Sequence, residues 1–395
     1  MPNSSRPTGA ATAVSRALRE FFTTETAGGV VLLAATVVAL VWANSPWQDG
    51  YSSLWHATLT VGVGAHQVAL DARHWVNDGL MALFFLVVGL EVKREFLLGE
   101  LRERRTAALP IIAAVGGMVV PALLFLAVVR SGDAARGWGI PMATDIAFAL
   151  GVLAIVGRGA PSSVRLFLLT LAIVDDIGAI VVIAVWYSSG VDARWLAMAV
   201  AIVALVVVAR RFAVATMPAF VVLGVALWCA LYASGVHPTL AGVVLGLLVP
   251  VAPIERLEHA LHGWSSFVIV PVFALANAGI AVGAHAMADA VTSRVTVGVV
   301  VGLVVGKFVG ISASSWAAVR CGVADLPIGV RWRHVLGIGA LGGIGFTVSL
   351  FITGLAFENG TMTEDVKFGI LCAAVLATAA SALLLRTGDD RVELP

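Results

Sequence analysis

The sequence predicts an all-α polytopic membrane protein with twelve transmembrane helices. Three observations lead there. The 395 residues are 59% hydrophobic and only 12% charged, with a mean hydropathy of +0.97, which is a membrane-protein composition. The apolar residues fall into a dozen runs, most of them near the ~20 residues that a bilayer-crossing helix needs. Two of those runs are interrupted, one by Pro141 and one by glycines from Gly337 to Gly345. Broken helices in corresponding positions mark the substrate site of inverted-repeat transporters.

The expected spans are about 26–44, 76–97, 107–130, 138–157, 164–187, 193–211, 217–234, 237–251, 258–282, 294–319, 334–357 and 365–386. Arg6, Arg16 and Arg19 precede the first apolar stretch, Gly28 to Ala43. That pattern imitates a secretory signal, but the many runs behind it favour an uncleaved first helix. Residues 1–25 then form a cytoplasmic N-terminal segment, 26–386 a single transporter domain and 387–395 a cytoplasmic tail. Between the first two spans, 56–72 alternates Thr and Val around Gly64 and reads as a small β-hairpin. It is too polar to span, and it packs either on its own subunit or against a partner.

Orientation follows the lysines and arginines. With the N-terminus inside, most of them fall on the cytoplasmic side, including Lys93, Arg94, Arg210, Arg211, Arg331 and Arg333. Arg73, Arg130, Arg136, Arg194, Arg294 and Lys367 stay outside, so both termini are cytoplasmic. Spans 3–5 (107–187) and 10–12 (294–386) then run in opposite senses, each with a broken middle helix. That is an inverted three-helix repeat. Irregular backbone at membrane depth is tolerated only in protein or beside a cavity.

Asp175 and Asp176 sit side by side within the fifth span. Each charge at a helix centre costs roughly 2.5–3.5 kcal/mol on insertion scales, so a purely structural role is a poor explanation. Neighbours on a helix point about 100° apart, which lets one acid face a cavity while the other reaches a cation. Lys307, near the centre of span ten, is the natural partner of Asp175 or Asp176. Gly298, Gly302, Gly306 and Gly310 recur around it and permit close helix packing. Thr144 and Asp145 lie at the break in span four, where Asp145 can neutralise half-helix N-termini while Lys307 neutralises C-termini. Glu91, Lys93, Arg94 and Glu95 charge one end of span two, and Glu258, His259 and His262 begin span nine. Charged, solvated helix ends are common and account for them more simply, but two histidines beside a carboxylate can nevertheless sense pH.

Several classes are excluded or set aside. A net charge of +1, with no basic tract interleaved with aromatics, gives no nucleic-acid signal. Cys229, Cys321 and Cys372 are scattered, without metal or disulfide spacing. An intramembrane aspartyl protease needs two facing acids; no GxGD occurs, although Asp145 with Asp176 could imitate the pair. A retinal protein is disfavoured by twelve spans. A same-fold, sodium-coupled organic-anion symporter is the nearer alternative.

Taken together, the motifs resemble the NhaA-type sodium/proton antiporters over nearly the whole chain. The carriers are Trp75-Val-Asn77-Asp78-Gly79, Phe84 to Glu95, Gly116 to Pro121, Pro141 to Gly151, Ala172 to Ala179, Ser234 to His237, Thr239 to Gly242, Arg256 to His259, Gly306-Lys307 and Gly342 to Thr347. The chain departs from the pattern at Pro238, Phe308 and a short loop before span nine. The resemblance implies an electrogenic Na⁺ or Li⁺/H⁺ antiporter of the bacterial inner membrane, not an enzyme, with no cofactor. It implies Asp176 as principal cation ligand, Asp175 as the proton-exchanging acid paired with Lys307, and Thr144 and Asp145 at the crossing of two broken helices. It matches Glu91, Arg94, Glu95, Glu258, His259 and His262 to a cytoplasmic pH-responsive cluster and His237 to a histidine on the far side. Asn77 and Asp78 are ion-entrance or structural polar groups, and the hairpin would be a homodimer contact.

Overall fold

In the structure, a computed structural model, the described residues are 9–386 apart from 64–65, 158–159, 189, 213–216, 281–282, 284–289 and 358–359. Residues 1–8 of the expected N-terminal segment, the expected tail 387–395, Arg158 and the hairpin tip at Gly64 therefore lie outside them.

Helix α1 (Gly9–Ala43) leads into the short α2 (Gln48–His56). Strands β1 (Thr58–Val63) and β2 (His66–Asp71) pair antiparallel, Thr58 opposite Asp71 and Leu59 opposite Leu70. The alternating pattern thus folds as the expected hairpin. Asp71 ends it and accepts a 2.7 Å bond from the His74 backbone N–H, capping α3 (Ala72–Leu98). Then follow α4 (Arg104–Val129), the 3₁₀-wound α5 (Asp133–Met142), α6 (Ile146–Val156), α7 (Ser162–Trp186), α8 (Ala193–Arg211), α9 (Met217–Ser234) and α10 (Leu240–Leu248). The run Val251–Trp264, Ser265–Ile269 and Val270–Asn277 forms α11, and Arg294–Arg320 forms α12. The chain ends with α13 (Trp332–Leu341), α14 (Phe346–Ala356) and α15 (Thr361–Arg386).

Among the described residues nine helices are long and apolar enough to cross a bilayer, and two further pairs are bent across short breaks. The molecule is a multi-pass membrane protein. The bends are 48° between α5 and α6 and 42° between α13 and α14. They fall where Pro141 and the glycine run predict them.

The expectation departs from the structure in three places. Helix α1 starts at Gly9, ahead of the expected first span, because residues too polar for lipid still favour helix. The eighth expected span, 237–251, is a helix only over Leu240–Leu248. Pro250 forces its predecessor Val249 into an extended conformation (φ −54°, ψ 136°), which ends the helix however apolar the sequence stays. Three helices also carry π-turns, at Trp75–Leu80, Ser265–Ile269 and Val301–Gly306. Each widens one turn by a residue, a change that hydropathy does not register.

Packing sorts the helices. Helix α4 lies against α7 and α12, and α15 against α12, α13 and α14. Helices α3, α9, α10 and α11 form a second group, and α1 touches both, through α6 and α11. The glycine stripe of α12 sets the closest approach: a side chain at Gly306 would lie 2.7 Å from the Pro121 Cα, and one at Gly310 would strike the Gly116 carbonyl. Lys307, between those two glycines, is consequently 0% exposed.

Candidate functional site

The site is built where the two breaks meet. A helix end leaves backbone groups without intrahelical partners, and here each break supplies what the other lacks. The Asp145 backbone N–H donates to the Ile344 carbonyl at 2.7 Å. The Asp145 carboxylate accepts from the Phe148 N–H (2.9 Å) with one oxygen. With the other it accepts from the Thr347 N–H (3.0 Å) and hydroxyl (2.5 Å). One buried anion therefore caps the N-termini of both α6 and α14, where their dipoles are positive. With both oxygens engaged as caps, it is not a free partner for Asp176 in a proteolytic pair.

Asp175 is fully buried on α7. Its Oδ2 accepts from the Lys307 amine (2.5 Å) and the Thr144 hydroxyl (2.7 Å). Thr144 also lies 3.1 Å from the Gly342 carbonyl at the end of α13. A hydroxyl carries one proton, so Thr144 serves one of these acceptors at a time. The bond made by Lys307 goes to Asp175; at the C-terminal end of α13 it is Thr144 that reaches the carbonyl.

Asp176, 5% exposed, takes the other direction. It lines a cavity of about 50 Å³ together with Thr144, Asp145 and Thr347 from the crossing and Glu91, His262, Ser265 and Ser266 from α3 and α11. That is room for more than one water-sized particle. Among the described residues, Asp175 Oδ1 and Asp176 Oδ1 have no hydrogen-bond partner. Two buried carboxylate oxygens without donors suit a hard cation or a proton, either of which offsets the cost of leaving them bare.

The remaining candidates lie towards the two ends of the bundle. Glu91 and His262 face each other at 3.4 Å at the edge of the cavity, towards the end opposite the hairpin. At that end Arg94 is ion-paired with Glu258. Glu95 accepts the Glu100 N–H at 2.7 Å, and His259 is exposed. Lys93 donates to the carbonyls of Leu247 and Val249, closing the C-terminus of the short α10. The hairpin end holds the others. His237 Nε2 meets the Tyr187 carbonyl at 2.8 Å, and the Tyr187 hydroxyl donates to the Arg136 carbonyl. Asn77 pairs with Asn277, and the Asp78 carbonyl accepts from Trp228 Nε1 at 2.8 Å. The structure thus brings Thr144, Asp145, Asp175, Asp176 and Lys307 together and leaves His237, Asn77, Asp78 and His259 apart from them.

Sequence reasoning did not single out Thr347, Ser265, Ser266, Tyr187 or Asn277. Thr347 closes the glycine run of the second break, and Asn277 is an amide inside an apolar run; each is an anomaly in its sequence context.

Comparison with known proteins follows the same line. The family model described as Na+/H+ antiporter 1 matches residues 19–385. Na(+)/H(+) antiporter NhaA 3 of Frankia alni is 44% identical, covering 96% of this chain and 90% of its own length. The Na(+)/H(+) antiporter NhaA of Mesorhizobium japonicum is 46% identical, covering 93% of this chain and 94% of its own length. That of Acidovorax sp. is 44% identical, with 89% and 88% covered.

Proposed function

The chain belongs to the Na+/H+ antiporter 1 family, and from that premise we propose that it exports Na⁺ or Li⁺ in exchange for external H⁺. Members of such a family are transporters rather than enzymes, and the ions are substrates, so no cofactor is invoked. One observation carries the reading: Asp175 is tied to Lys307 and Thr144, while its neighbour Asp176 opens onto the cavity.

The cycle follows from that geometry. Deprotonated Asp176 offers oxygen ligands to a cation arriving through the cavity, with Asp175 completing the pair. A proton competes for the same oxygens. The loaded site then turns to the other side, releases the cation, takes protons and returns neutralised. With more than one proton per cation the exchange is electrogenic, and each charge crossing the potential contributes about 2.3 kcal/mol per 100 mV.

The finer architecture belongs to the same proposal. Twelve spans are reached by counting each bent pair as one and α10 as a shortened eighth. Residues 107–187 and 294–386 are inverted repeats within the single domain 26–386. The Lys and Arg bias supports cytoplasmic termini and insertion in a bacterial inner membrane. Glu91 with His262, and Arg94 with Glu258, support a pH response at the cytoplasmic end, because protonating His262 strengthens its attraction to Glu91. The hairpin is the proposed homodimer contact. Symport and proteolysis gain no support from relatives named Na(+)/H(+) antiporters.

The test is sodium-dependent proton release from energised everted vesicles. Asp176→Asn is expected to abolish it at unchanged expression. Near wild-type exchange by that variant would refute the assignment.

A further inference from the structure

The cavity at Asp176 is lined towards one end of the bundle by Glu91, His262, Ser265 and Ser266. Beyond it, towards the hairpin end, side chains of α3, α11 and α14 pack in two layers. The first is aromatic. Phe351 lies one turn beyond Thr347 on α14, with its ring 5.3 Å from that of Phe85 and 6.3 Å from that of Phe273. The three are 2%, 4% and 1% exposed. The second layer is polar. Asn277 Nδ2 donates to Asn77 Oδ1 at 2.7 Å and lies 3.0 Å from the Phe273 carbonyl, and Asn77 Nδ2 returns to Asn277 Oδ1 at 3.5 Å.

The layers differ in what holds them. Phe85 and Asn77 are on α3, and Phe273 and Asn277 are on α11, so the amide pair pins two helices of one packing group together. Phe351 alone comes from α14, the half-helix whose N-terminus is bound to Asp145 at the crossing. An amide pair with Asn277 buried and Asn77 half-buried is a costly way merely to fill space, whereas it fixes the separation of the two rings between which the third is inserted. Asn77 also sits in a π-turn, a distortion frequent at functional positions.

We infer that Phe351 is the movable plug of the passage on the hairpin side, and that the Asn77–Asn277 clasp holds the fixed frame it closes against. Displacing α14 with the crossing withdraws one ring and leaves the frame intact. Withdrawal opens the route by which the cation leaves; reinsertion keeps the site from opening to both sides at once. This rests on the alternating exposure proposed above.

The experiment reads access and coupling separately. Cys229, Cys321 and Cys372 are replaced by Ser, and Val87→Cys supplies a reporter on the cavity wall. Labelling by a membrane-impermeant thiosulfonate is then timed from each side of the membrane, with and without a sodium gradient. With Phe351 present, labelling from the hairpin side is slow at rest and accelerates under a gradient. Phe351→Ala is expected to raise the resting rate about tenfold or more, since it removes a large buried side chain. It should also lower the protons moved per sodium. Phe351→Leu, which retains bulk and guards against misfolding, and Asn277→Ala should each give a smaller increase in the same direction. If Phe351→Ala and Phe351→Leu both label at the resting rate of the Phe351 protein while a gradient still accelerates labelling, the plug is wrong and alternation stands. If no gradient ever exposes the reporter from the hairpin side in the Phe351 protein, the alternation reading itself fails.

Discussion

The two breaks look alike in outline and differ in chemistry. Each interrupts a membrane-depth helix and turns it by more than 40°. The first, between α5 and α6, supplies the functional groups: the Thr144 hydroxyl and the Asp145 carboxylate. The second, between α13 and α14, supplies mainly backbone: the carbonyls of Gly342 and Ile344 and the N–H of Thr347, joined by the Thr347 hydroxyl. Glycine lets the second chain segment come close enough to be used; a side chain at Gly345 would lie 2.7 Å from the Ala143 carbonyl oxygen. The lesson is that a pair of broken helices need not be chemically symmetric. One anion at the first break satisfies both, provided the second brings bare backbone to it.

The largest test of that asymmetry is Asp145→Asn. The amide keeps one acceptor oxygen and turns donors towards N–H groups, so one of the two caps must fail. A loss of about 3 kcal/mol is expected, read as a fall in the unfolding temperature of the detergent-solubilised protein. If the two breaks did not share this carboxylate, the amide oxygen that Asn retains would serve the one cap and the loss would be only a few tenths of a kcal/mol. Gly345→Ala should come next, at about 1–3 kcal/mol, because the crossing must open to admit a methyl group. Thr347→Val keeps the backbone bond to Asp145 and removes only the hydroxyl bond, at about 1 kcal/mol. Equal losses for Thr347→Val and Asp145→Asn would mean that the second break carries the anion's interactions by itself.

A cap within reach of water sharpens the contrast and has the smallest effect. Partial burial pushes the Asp71 carboxyl up, but the His74 N–H and side chain, with the nearby Arg73 charge, hold it below its ordinary value overall. A depressed carboxyl stabilises the fold above its unfolded pKa. That contribution is lost as pH falls through the lower, folded value. Asp71→Asn should therefore cost little, and only above the ordinary carboxylate range; the difference in unfolding temperature from wild type should vanish in acid.

Much of this was legible in the sequence. Apolar runs locate the spans because lipid demands them, and Pro141 and the glycines locate the breaks because helices tolerate neither cheaply. Asp175, Asp176 and Lys307 stand out because charge in lipid is costly. What was not legible depends on distant partners. That Asp145 would cap a helix starting about 200 residues later, or that Asn77 would meet Asn277, is a matter of tertiary packing with no local periodicity. The length of α10 has a nearer cause: hydropathy continues through Val249 while Pro250 stops the helix.

The central claim is that cation and proton compete for the oxygens of Asp175 and Asp176. It is tested most directly by calorimetric titration of Na⁺ into the purified protein over a range of pH, in buffers of different ionisation enthalpy. The account predicts that binding releases protons, so that affinity weakens by about tenfold per pH unit for each proton displaced on the acid side, and that Asp176→Asn abolishes the heat. Sodium affinity independent of pH, with no buffer dependence, would contradict it.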